Sequence, residues 1–491
     1  MQKKMADNRE HECQEKAVKV ELGGDPQLST ADISPPATDD DINQYLVRFD
    51  EAFHCGNPQD WSLARKWAVT SVLSVTGFNR ILVSTIMAPA LSSIAVEFHM
   101  NQVESVMGLS AYLLATAFGP LVIGPLSELY GRQPVLHTTN VWFLLWNVVC
   151  GFAPNKGVLI AARFLSGFGA SAVYVLASGV LGDVWRADQR GRSLGLYNLL
   201  PLLAASVGPI LGGIITQATT WQWIFWSTSM VQGAMIIFSI LLFRATYAPL
   251  ILRKRARQLR TSTGEQRYHS ATEKLTEGRT ATWILRRSLT RPMRLLASHP
   301  IVQIQAVVSG FSYGITYLLI SIYSDLWKTR YHESTATSGI HYIAMCLGEI
   351  CSALIAGTLM DVTYRRLQAK AGGEGRPEGV SPSPNDSGLI AHLGGLSHVR
   401  LGCPGLHILA GRRHRERSLV LRLQCLQPGA QLVRSLTAFG FPLFAPSMYE
   451  AIGYGWGNTL LALVAVTLCL PTPFVLWRYG CQLRERARDS F

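Results

Sequence analysis

Three ionisable residues stand inside long apolar stretches of the sequence: Arg80, Arg163 and Glu349. An ionisable side chain in an apolar stretch of membrane-spanning length is expensive to bury and usually faces a cavity or a partner. Burial makes the charged form of a carboxyl group less favourable, which lets such a group load and release a proton near neutral pH. Glu349, in Cys-Leu-Gly-Glu-Ile-Cys, is therefore our candidate proton carrier, with a structural hydrogen bond between helices as the alternative.

Asn79 and Arg80 lie near the middle of the first apolar stretch. We interpret them as a cavity-facing pair that meets an acidic group or an anionic substrate. The alternative is that the stretch is placed one turn off and Arg80 snorkels to the membrane surface. Tyr313 and Tyr317 are four residues apart and share one helix face. They are candidates for lining a cavity for an amphipathic organic molecule, and a packed core is the alternative.

The composition indicates a polytopic membrane protein. The 491 residues are 48% hydrophobic and 16% charged, and the mean hydropathy of +0.19 is high for a soluble chain. Most of the formal net charge of +13 comes from one segment, because residues 244–300 hold 13 Lys or Arg against 3 Asp or Glu. These cations flank apolar stretches instead of alternating with aromatic residues on a folded face, so a nucleic-acid partner is not expected.

The residue types that hold metals or perform catalysis form no recognisable cluster in the sequence. The nine cysteines include no Cys-x-x-Cys pair and no His/Cys ligand spacing, so neither a zinc site nor a disulfide framework is indicated. No nucleophile and base constellation and no phosphate-binding loop occurs. The sequence therefore predicts a protein that is not an enzyme and that uses no cofactor or metal.

The apolar stretches predict an all-α polytopic membrane protein, since each has about the 20 residues that a membrane-spanning helix needs. Ten such spans are expected near residues 68–90, 105–127, 134–153, 157–181, 193–216, 223–244, 301–324, 338–360, 435–452 and 457–477. Short loops rich in Arg and Lys alternate with loops that are poor in them. By the positive-inside rule, this alternation places both termini in the cytoplasm.

The same pattern divides the chain into seven segments. They are a disordered cytoplasmic tail (1–56), a six-helix half (57–244), a basic cytoplasmic loop (245–299), spans 7 and 8 (300–367), an aberrant interval (368–433), two final spans (434–478) and a cytoplasmic tail (479–491). The aberrant interval holds too many Arg and His residues to span a membrane. We hypothesise that residues from about Gly379 to Leu432 are translated out of frame or misspliced. The alternative is a genuine ten-span variant with a basic loop.

A short charged turn, Gly124-Pro-Leu-Ser-Glu-Leu-Tyr-Gly-Arg, connects the second and third spans. Gly131 can adopt a positive φ there, and Glu128 and Arg132 stand on either side of it. This stretch resembles the loop 2–3 signature of the major facilitator superfamily. The resemblance implies a conformational switch, in which Arg132, together with Arg65 or Arg190 nearby in topology, pairs with Glu128 in one state and releases it in another. The alternative is a charge anchor that fixes the topology.

Two further stretches resemble motifs of the same family. Gly357-Thr-Leu-Met-Asp-Val-Thr-Tyr-Arg-Arg-Leu repeats the loop 2–3 signature in the second half, with Asp361 and Arg365 in the switch positions. Arg163-Phe-Leu-Ser-Gly-Phe-Gly-Ala in span 4 resembles the second family motif. The family links the arginine of that motif to proton coupling, so the resemblance implies this role for Arg163.

Gly208-Pro-Ile-Leu-Gly-Gly in span 5 resembles the antiporter motif of the drug:proton branches of the family. Pro209 removes a helix hydrogen bond and bends the helix, while Gly208, Gly212 and Gly213 let another helix approach closely. The family assigns this kink to antiport rather than uptake. Ala204 stands where the family often has a further glycine, and plain helix packing is the alternative.

The resemblance implies two six-helix halves that rock about a central cavity and expose a midplane site to each side in turn. It points to the twelve-span drug:proton antiporters of fungi. The expected function is proton-coupled export of small organic compounds, such as drugs, polyamines or secondary metabolites, driven by the proton gradient. The protein is expected to work as a monomer in the plasma membrane. The alternatives are a nutrient importer or facilitator, and a non-transporting product of a defective gene.

Overall fold

The computed structural model is helical along nearly all of the chain that it describes. The described residues are 45–47, 49, 57–243, 246–270, 273, 289–290, 292–294, 296–351, 413–469 and 471–472, without the side chains of 187–188, 190–192 and 413–428. Within them, one isolated bridge between Leu46 and His269 is the sole extended pairing. The all-α architecture predicted from the sequence is confirmed.

Six helical segments form the first half, one at the position of each span predicted there. Five of them are long and apolar enough to cross a membrane, and the helix at the third predicted span, Arg132–Gly151, does not meet that criterion. The six segments are α1 (Leu63–Thr85), which a short 3-10 turn (Ala88–Ala90) joins to α2 (Leu91–Glu97), then α3 (Gln102–Tyr130), α4 (Arg132–Gly151), the consecutive pair α5 (Lys156–Ala170) and α6 (Ala172–Val184), α7 (Ala187–Ala218) and α8 (Gln222–Leu242). Ser171 separates α5 from α6 in the middle of the fourth span. This break leaves carbonyl groups at the end of α5 free to accept other hydrogen bonds.

The second half is described in part. It contains α9 (Ala248–Thr263) in the basic loop, α10 (Pro300–Tyr331), α11 (Thr335–Ile340), further helical residues at 343–351, and α12 (Arg413–Cys469), which Gly453 interrupts with a φ of +71°. Within the described residues, seven helical segments are long and apolar enough to cross a membrane. The candidate switch residues Asp361 and Arg365, and most of the aberrant interval, lie outside the described residues.

Three boundaries differ from those expected. The helix of the span predicted near 435–452 begins well before residue 434, and Gly429 already packs beside Pro292. Part of the basic loop forms α9, because one small face with the buried Ala256 packs inward while Lys254 and Arg257 stay exposed. In the tail predicted as disordered, the Val47 N–H donates to the His269 carbonyl, and the Tyr45 carbonyl accepts from the His269 N–H. Each difference comes from packing between distant segments, which local composition does not encode.

Two turns show how local sequence sets the helix ends. The side chain of Asn101 accepts a hydrogen bond from the Glu104 backbone N–H at 2.8 Å, and the Glu104 carboxylate accepts one from the Asn101 N–H at 3.0 Å. This reciprocal capping starts α3. Gly131 ends α3 with a φ of +92°, a conformation that side chains with a Cβ rarely adopt. Consequently α3 and α4 fold back on each other within a single residue.

The two halves meet along buried surfaces near the middle of the bundle. A cluster of buried side chains from α1, α3, α4, α10 and α12 joins them, and it includes Tyr112, Phe143, Tyr313 and Tyr317. The hydroxyls of Thr116 on α3 and Ser435 on α12 lie 2.9 Å apart across the same boundary. This boundary is where the candidate functional residues have to be sought.

Candidate functional site

Arg163 is completely buried inside the first half. Its side chain is 0% exposed; Nη1 donates to the Val83 carbonyl at 2.9 Å and Nε donates to the Gly108 carbonyl at 3.2 Å. Gly167, one turn later on α5, allows this closeness, because a Cβ there would collide with the Tyr112 carbonyl oxygen. The arginine expected from the sequence motif therefore lies at the crossing of α1, α3 and α5.

Arg80 lies nearby on α1 and is 2% exposed, so it does not snorkel. Its Nη1 donates to the Gly169 and Ala170 carbonyls, both at 3.1 Å, and Nη2 donates to Oδ1 of Asn140. Gly169 and Ala170 are the last residues of α5, where the helix dipole places partial negative charge. The acidic partner that the sequence suggested is absent among the described residues, and neutral oxygens take its place.

Tyr112 connects the two arginines. Its hydroxyl donates to the Arg80 carbonyl oxygen at 2.8 Å, and the Cζ atom of Arg163 lies 4.7 Å from the centre of its ring. A guanidinium group over an aromatic face is a favourable cation–π contact. The arrangement gathers two cations around one buried tyrosine at the edge of the first half.

Tyr313 and Tyr317 of α10 meet Tyr112 from the second half. Their ring centroids are 5.0 Å apart, and the Tyr317 hydroxyl lies 2.7 Å from the Ser84 hydroxyl of α1. The Tyr174 side chain of α6 faces Tyr313. We call Tyr112, Tyr174, Tyr313 and Tyr317 the tyrosine cluster. The sequence selected two of its members as cavity candidates, and the structure places both at the boundary between the halves.

Arg434 of α12 completes this region from the second half. Its Cζ atom lies 4.7 Å from the centre of the Tyr313 ring. Neither Arg434 nor Tyr174 is recognisable as a site residue from the sequence. Arg434 precedes a long apolar stretch, as a residue at the end of a membrane span would, so its position does not indicate a role in binding.

Asn79 lies in a different place from that expected. Its Nδ2 donates to the Thr228 carbonyl oxygen at 3.2 Å and to Oε1 of Gln232 at 3.3 Å, both on α8. Asn147 of α4 donates to the Phe225 carbonyl and to neighbouring hydroxyls of the same helix. Asn79 therefore belongs to a polar network inside the first half, whereas Arg80, one residue later, points towards α4 and α5.

Glu349 is buried in span 8, away from the tyrosine cluster. It is 1% exposed, and neither carboxyl oxygen has a hydrogen-bond partner among the described residues. The Ser206 hydroxyl of α7 faces the carboxyl group outside hydrogen-bond geometry. The expected proton carrier thus lies where α7 of the first half packs against the second half.

The glycines of α7 lie at two close helix contacts. A Cβ at Gly208 would collide with Thr85, the last residue of α1, and a Cβ at Gly212 with Ile86, which follows it. A Cβ at Gly213 would lie 2.7 Å from the Thr335 carbonyl oxygen of α11. The helix continues through Pro209 to Ala218. On α11, a Cβ at Gly339 would in turn lie 2.9 Å from the Pro209 carbonyl oxygen. The motif therefore brings α7 against both halves at once.

The charged turn has a different ion pair from the one expected. Nε of Arg132 lies 3.0 Å from Oδ2 of Asp183 at the end of α6, whereas the sequence suggested Glu128 as the partner. A Cβ at Gly179 would collide with the Arg132 guanidinium group. Burial, aided by the carboxylates of Glu128 and Asp183, raises the pKa of the Tyr247 hydroxyl to about 12, so it stays neutral beside the pair.

The opposite end of the bundle contains a cavity that sequence reasoning missed. It has a volume of about 300 Å³, lies between the halves, and is lined in part by Asp325, Lys328 and Glu450. The Lys328 ammonium donates to the Pro89 carbonyl at 2.5 Å and to the Ser92 hydroxyl at 2.9 Å. These hydrogen bonds hold Lys328 of the second half against the first half at this end.

Two packed sets of membrane-spanning helices, with buried charges at their boundary, are the architecture of a secondary transporter. The chain belongs to the Major Facilitator Superfamily, because the family model matches residues 73–373. It is a membrane transporter of this superfamily rather than a member of an enzyme family.

Similarity to individual proteins supports this assignment. The chain is 46% identical to the probable efflux pump mfs2 of Aspergillus flavus, over 82% of this chain and 100% of that protein. It is 34% identical to the efflux pump vrtL of Penicillium aethiopicum, over 94% of each chain. The partially occluded inward-open structure of the xylose transporter XylE from E. coli aligns with a TM-score of 0.54 at 14% identity, over 85% of this chain and 98% of XylE. At this identity, the likeness to XylE shows the fold alone.

Proposed function

We propose that this transporter exports small organic compounds in exchange for protons. The observation that carries the proposal is Glu349, a carboxyl group that is 1% exposed and has no hydrogen-bond partner among the described residues. Efflux is also the activity printed in the names of the Aspergillus and Penicillium relatives. The proposal places both termini in the cytoplasm and the working monomer in the plasma membrane, with no cofactor beyond the proton gradient.

The position of Glu349 connects its protonation to the movement of the halves. An ionised carboxylate needs water or a cation around it, whereas the neutral acid is far less costly to bury. Ser206 faces Glu349 from α7, and Gly213 of the same helix packs on Gly339. Loss of the proton therefore favours the state in which α7 and span 8 separate, and uptake of a proton favours the packed state.

Arg163 and Arg80 have secondary roles in this proposal. Both hold their charge at all physiological pH values, so neither carries the transported proton. Their positive charges set the electrostatic field at the boundary, and this field acts on Glu349 and on the bound substrate. Gly124, Glu128, Gly131 and Arg132 form the hinge and switch at the predicted cytoplasmic end, while Gly208, Pro209, Gly212 and Gly213 keep the α7 contacts tight enough to prevent a proton leak.

The first test is growth of a yeast strain that lacks its own efflux pumps, challenged with toxic acidic, neutral and basic compounds. The chain should confer resistance to at least one of them. Inverted vesicles from the same cells should then accumulate that compound when their lumen is acidified. Resistance to none of the compounds, or accumulation that ignores the pH gradient, would contradict the proposal.

The second test isolates Glu349. In Glu349→Gln, accumulation should lose its dependence on the pH gradient, because the amide cannot exchange a proton. Glu265→Gln is the matched control: it removes an exposed carboxylate that pairs with Arg267 outside the spans and should behave as the parent protein. Proton coupling that persists in Glu349→Gln would refute the assignment.

A further inference from the structure

The charged side chains that lie over rings of the tyrosine cluster in the described chain are cations, with Arg163 over Tyr112 and Arg434 over Tyr313. Arg80 and Arg163 are buried, and no described carboxylate lies within ion-pair distance of either. Their hydrogen bonds go to backbone carbonyls and to Asn140. These acceptors carry only partial negative charge, so no full negative charge of the described residues balances either side chain.

Each of these guanidinium groups also keeps one nitrogen without a partner. Nε of Arg80 and Nη2 of Arg163 are buried and make no hydrogen bond to any described residue. A guanidinium group is planar, with donors that match the two oxygens of a carboxylate. A buried cation without a counter-charge is strongly unfavourable. A bound anion would accept hydrogen bonds from these two nitrogens and supply the missing negative charge.

The tyrosine cluster lies against these cations. Tyr112 contacts Arg163 at 4.7 Å from its ring centre, and Tyr313 contacts Arg434 at the same distance from the second half. Arg80 interacts electrostatically with Tyr112 and Tyr174, and Arg163 with Tyr112 and Tyr317. Aromatic faces with cations on both sides suit a flat organic anion.

We propose that the boundary between the halves, centred on the tyrosine cluster, binds organic acids that combine an aromatic body with one ionised acid group. This inference rests on the proposed export and specifies its substrate class. The ring system lies among Tyr112, Tyr313 and Tyr317 once the halves part, and the acid group meets Arg163 and Arg434 from opposite walls. Polyamines, which are multiply cationic, are excluded from the site by the same charges.

Three naphthalene probes that differ in charge test this substrate class. They are 2-naphthoate, 2-naphthalenemethanol and 2-naphthylmethylamine, which are anionic, neutral and cationic at pH 7. Their binding is measured by calorimetry on the full chain in lipid nanodiscs, with the heat of empty nanodiscs subtracted. We expect 2-naphthoate to bind at least tenfold more tightly than the other two. Equal affinities, or a preference for the amine, would overturn the proposal.

Substitutions then locate the site. Arg163→Gln should weaken 2-naphthoate binding at least tenfold and change binding of the alcohol by less than threefold. Because Arg163 is buried and its variant can misfold, Arg434→Gln, at a half-buried position, provides a second test with the same expected selectivity. Arg257→Gln, at an exposed position on α9, is the control and should leave all three affinities unchanged. A preference for 2-naphthoate that survives in Arg434→Gln and in every folded Arg163 variant would place the acid elsewhere and overturn the site.

The outcome separates this inference from the proposed export. Selective binding of 2-naphthoate without proton-driven accumulation of any compound would refute export and leave the acid site standing. Proton-driven export restricted to neutral or cationic compounds would refute the acid site and leave export standing.

Discussion

Arg132 and Asp183 form an ion pair of 3.0 Å between the start of α4 and the end of α6, with side-chain exposures of 10% and 17%. Arg132 follows the turn residue Gly131, and Asp183 lies near the end of the interrupted fourth span. The pair therefore connects the turn between the second and third spans to the helix that carries Tyr174. It is sufficiently buried to hold one state of the bundle and sufficiently close to water to dissociate in another.

The first prediction concerns this pair. Asp183→Asn should destabilise the protein by about 1–3 kcal/mol, between the values typical of exposed and of buried pairs. It should also slow transport severalfold, since the switch loses its anion. Thermal unfolding and vesicle transport measure the two effects. Lys156→Gln breaks the more exposed pair with Glu104 at 2.7 Å and should cost less than Asp183→Asn in both measurements. Equal effects of the two substitutions would refute a special role for Asp183.

The second prediction concerns the glycines of α7. Gly212→Ala should abolish transport and lower stability by about 1–3 kcal/mol, the usual cost of overpacking, because its Cβ would collide with the Ile86 carbonyl. Gly233→Ala on α8 is the matched control, since nothing lies within 4 Å of a Cβ there. That variant should be as active as the parent, and as stable or more stable. Normal transport by Gly212→Ala would show that α7 and α1 do not need this approach.

The third prediction concerns Lys328. Its hydrogen bonds to Pro89 and Ser92 hold the halves together at the end opposite Gly131. Lys328→Ala should open this end more often, so a cysteine introduced at Ser321 in the cavity wall should react faster with a membrane-impermeant thiol reagent applied outside. The same cysteine in a Lys156→Ala background is the control. An unchanged labelling rate would mean that Lys328 does not hold this end closed.

The fourth prediction uses Asn140, the side chain that accepts from Arg80. Asn140→Leu should cost about 1–3 kcal/mol, because it leaves a buried charged donor unpaired. Asn140→Asp should instead raise the melting temperature by giving Arg80 a counter-charge. If the boundary binds organic acids, Asn140→Asp should also weaken 2-naphthoate binding, since part of the positive field is cancelled. A stabilised variant with undiminished 2-naphthoate affinity would argue against that binding.

The sequence predicted helices more successfully than partners. Apolar runs of sufficient length identified every helical segment of the first half, five of which are apolar enough to cross a membrane. A helix in a membrane must satisfy its own backbone and needs a long apolar surface. Gly131 was expected to have a positive φ for an equally local reason. The burial of Arg163 and Glu349 also followed from their position inside apolar stretches, since a residue at the middle of a span cannot reach water.

The partners of the buried charges were much harder to predict. Arg80 was expected to meet an acid or an anionic substrate, and it instead donates to the last carbonyls of α5, which are free only because Ser171 interrupts the span. Glu128 was expected to pair with Arg132, which pairs with Asp183. Asn79 was expected in the cavity and lies against α8. Each outcome depends on how helices distant in sequence are rotated against one another.

The sequence by itself determined the class of the protein, the positions of its helices and the residues that carry charge into the membrane. These properties follow from hydrogen bonds and apolar burial within one segment. The tertiary structure alone decided that Arg80, Arg163 and Arg434 surround a shared tyrosine cluster, and that Glu349 stands apart from it at the contact with α7. Helix packing sets these neighbours, because it brings together side chains hundreds of residues apart and fixes which face of each helix meets the other half.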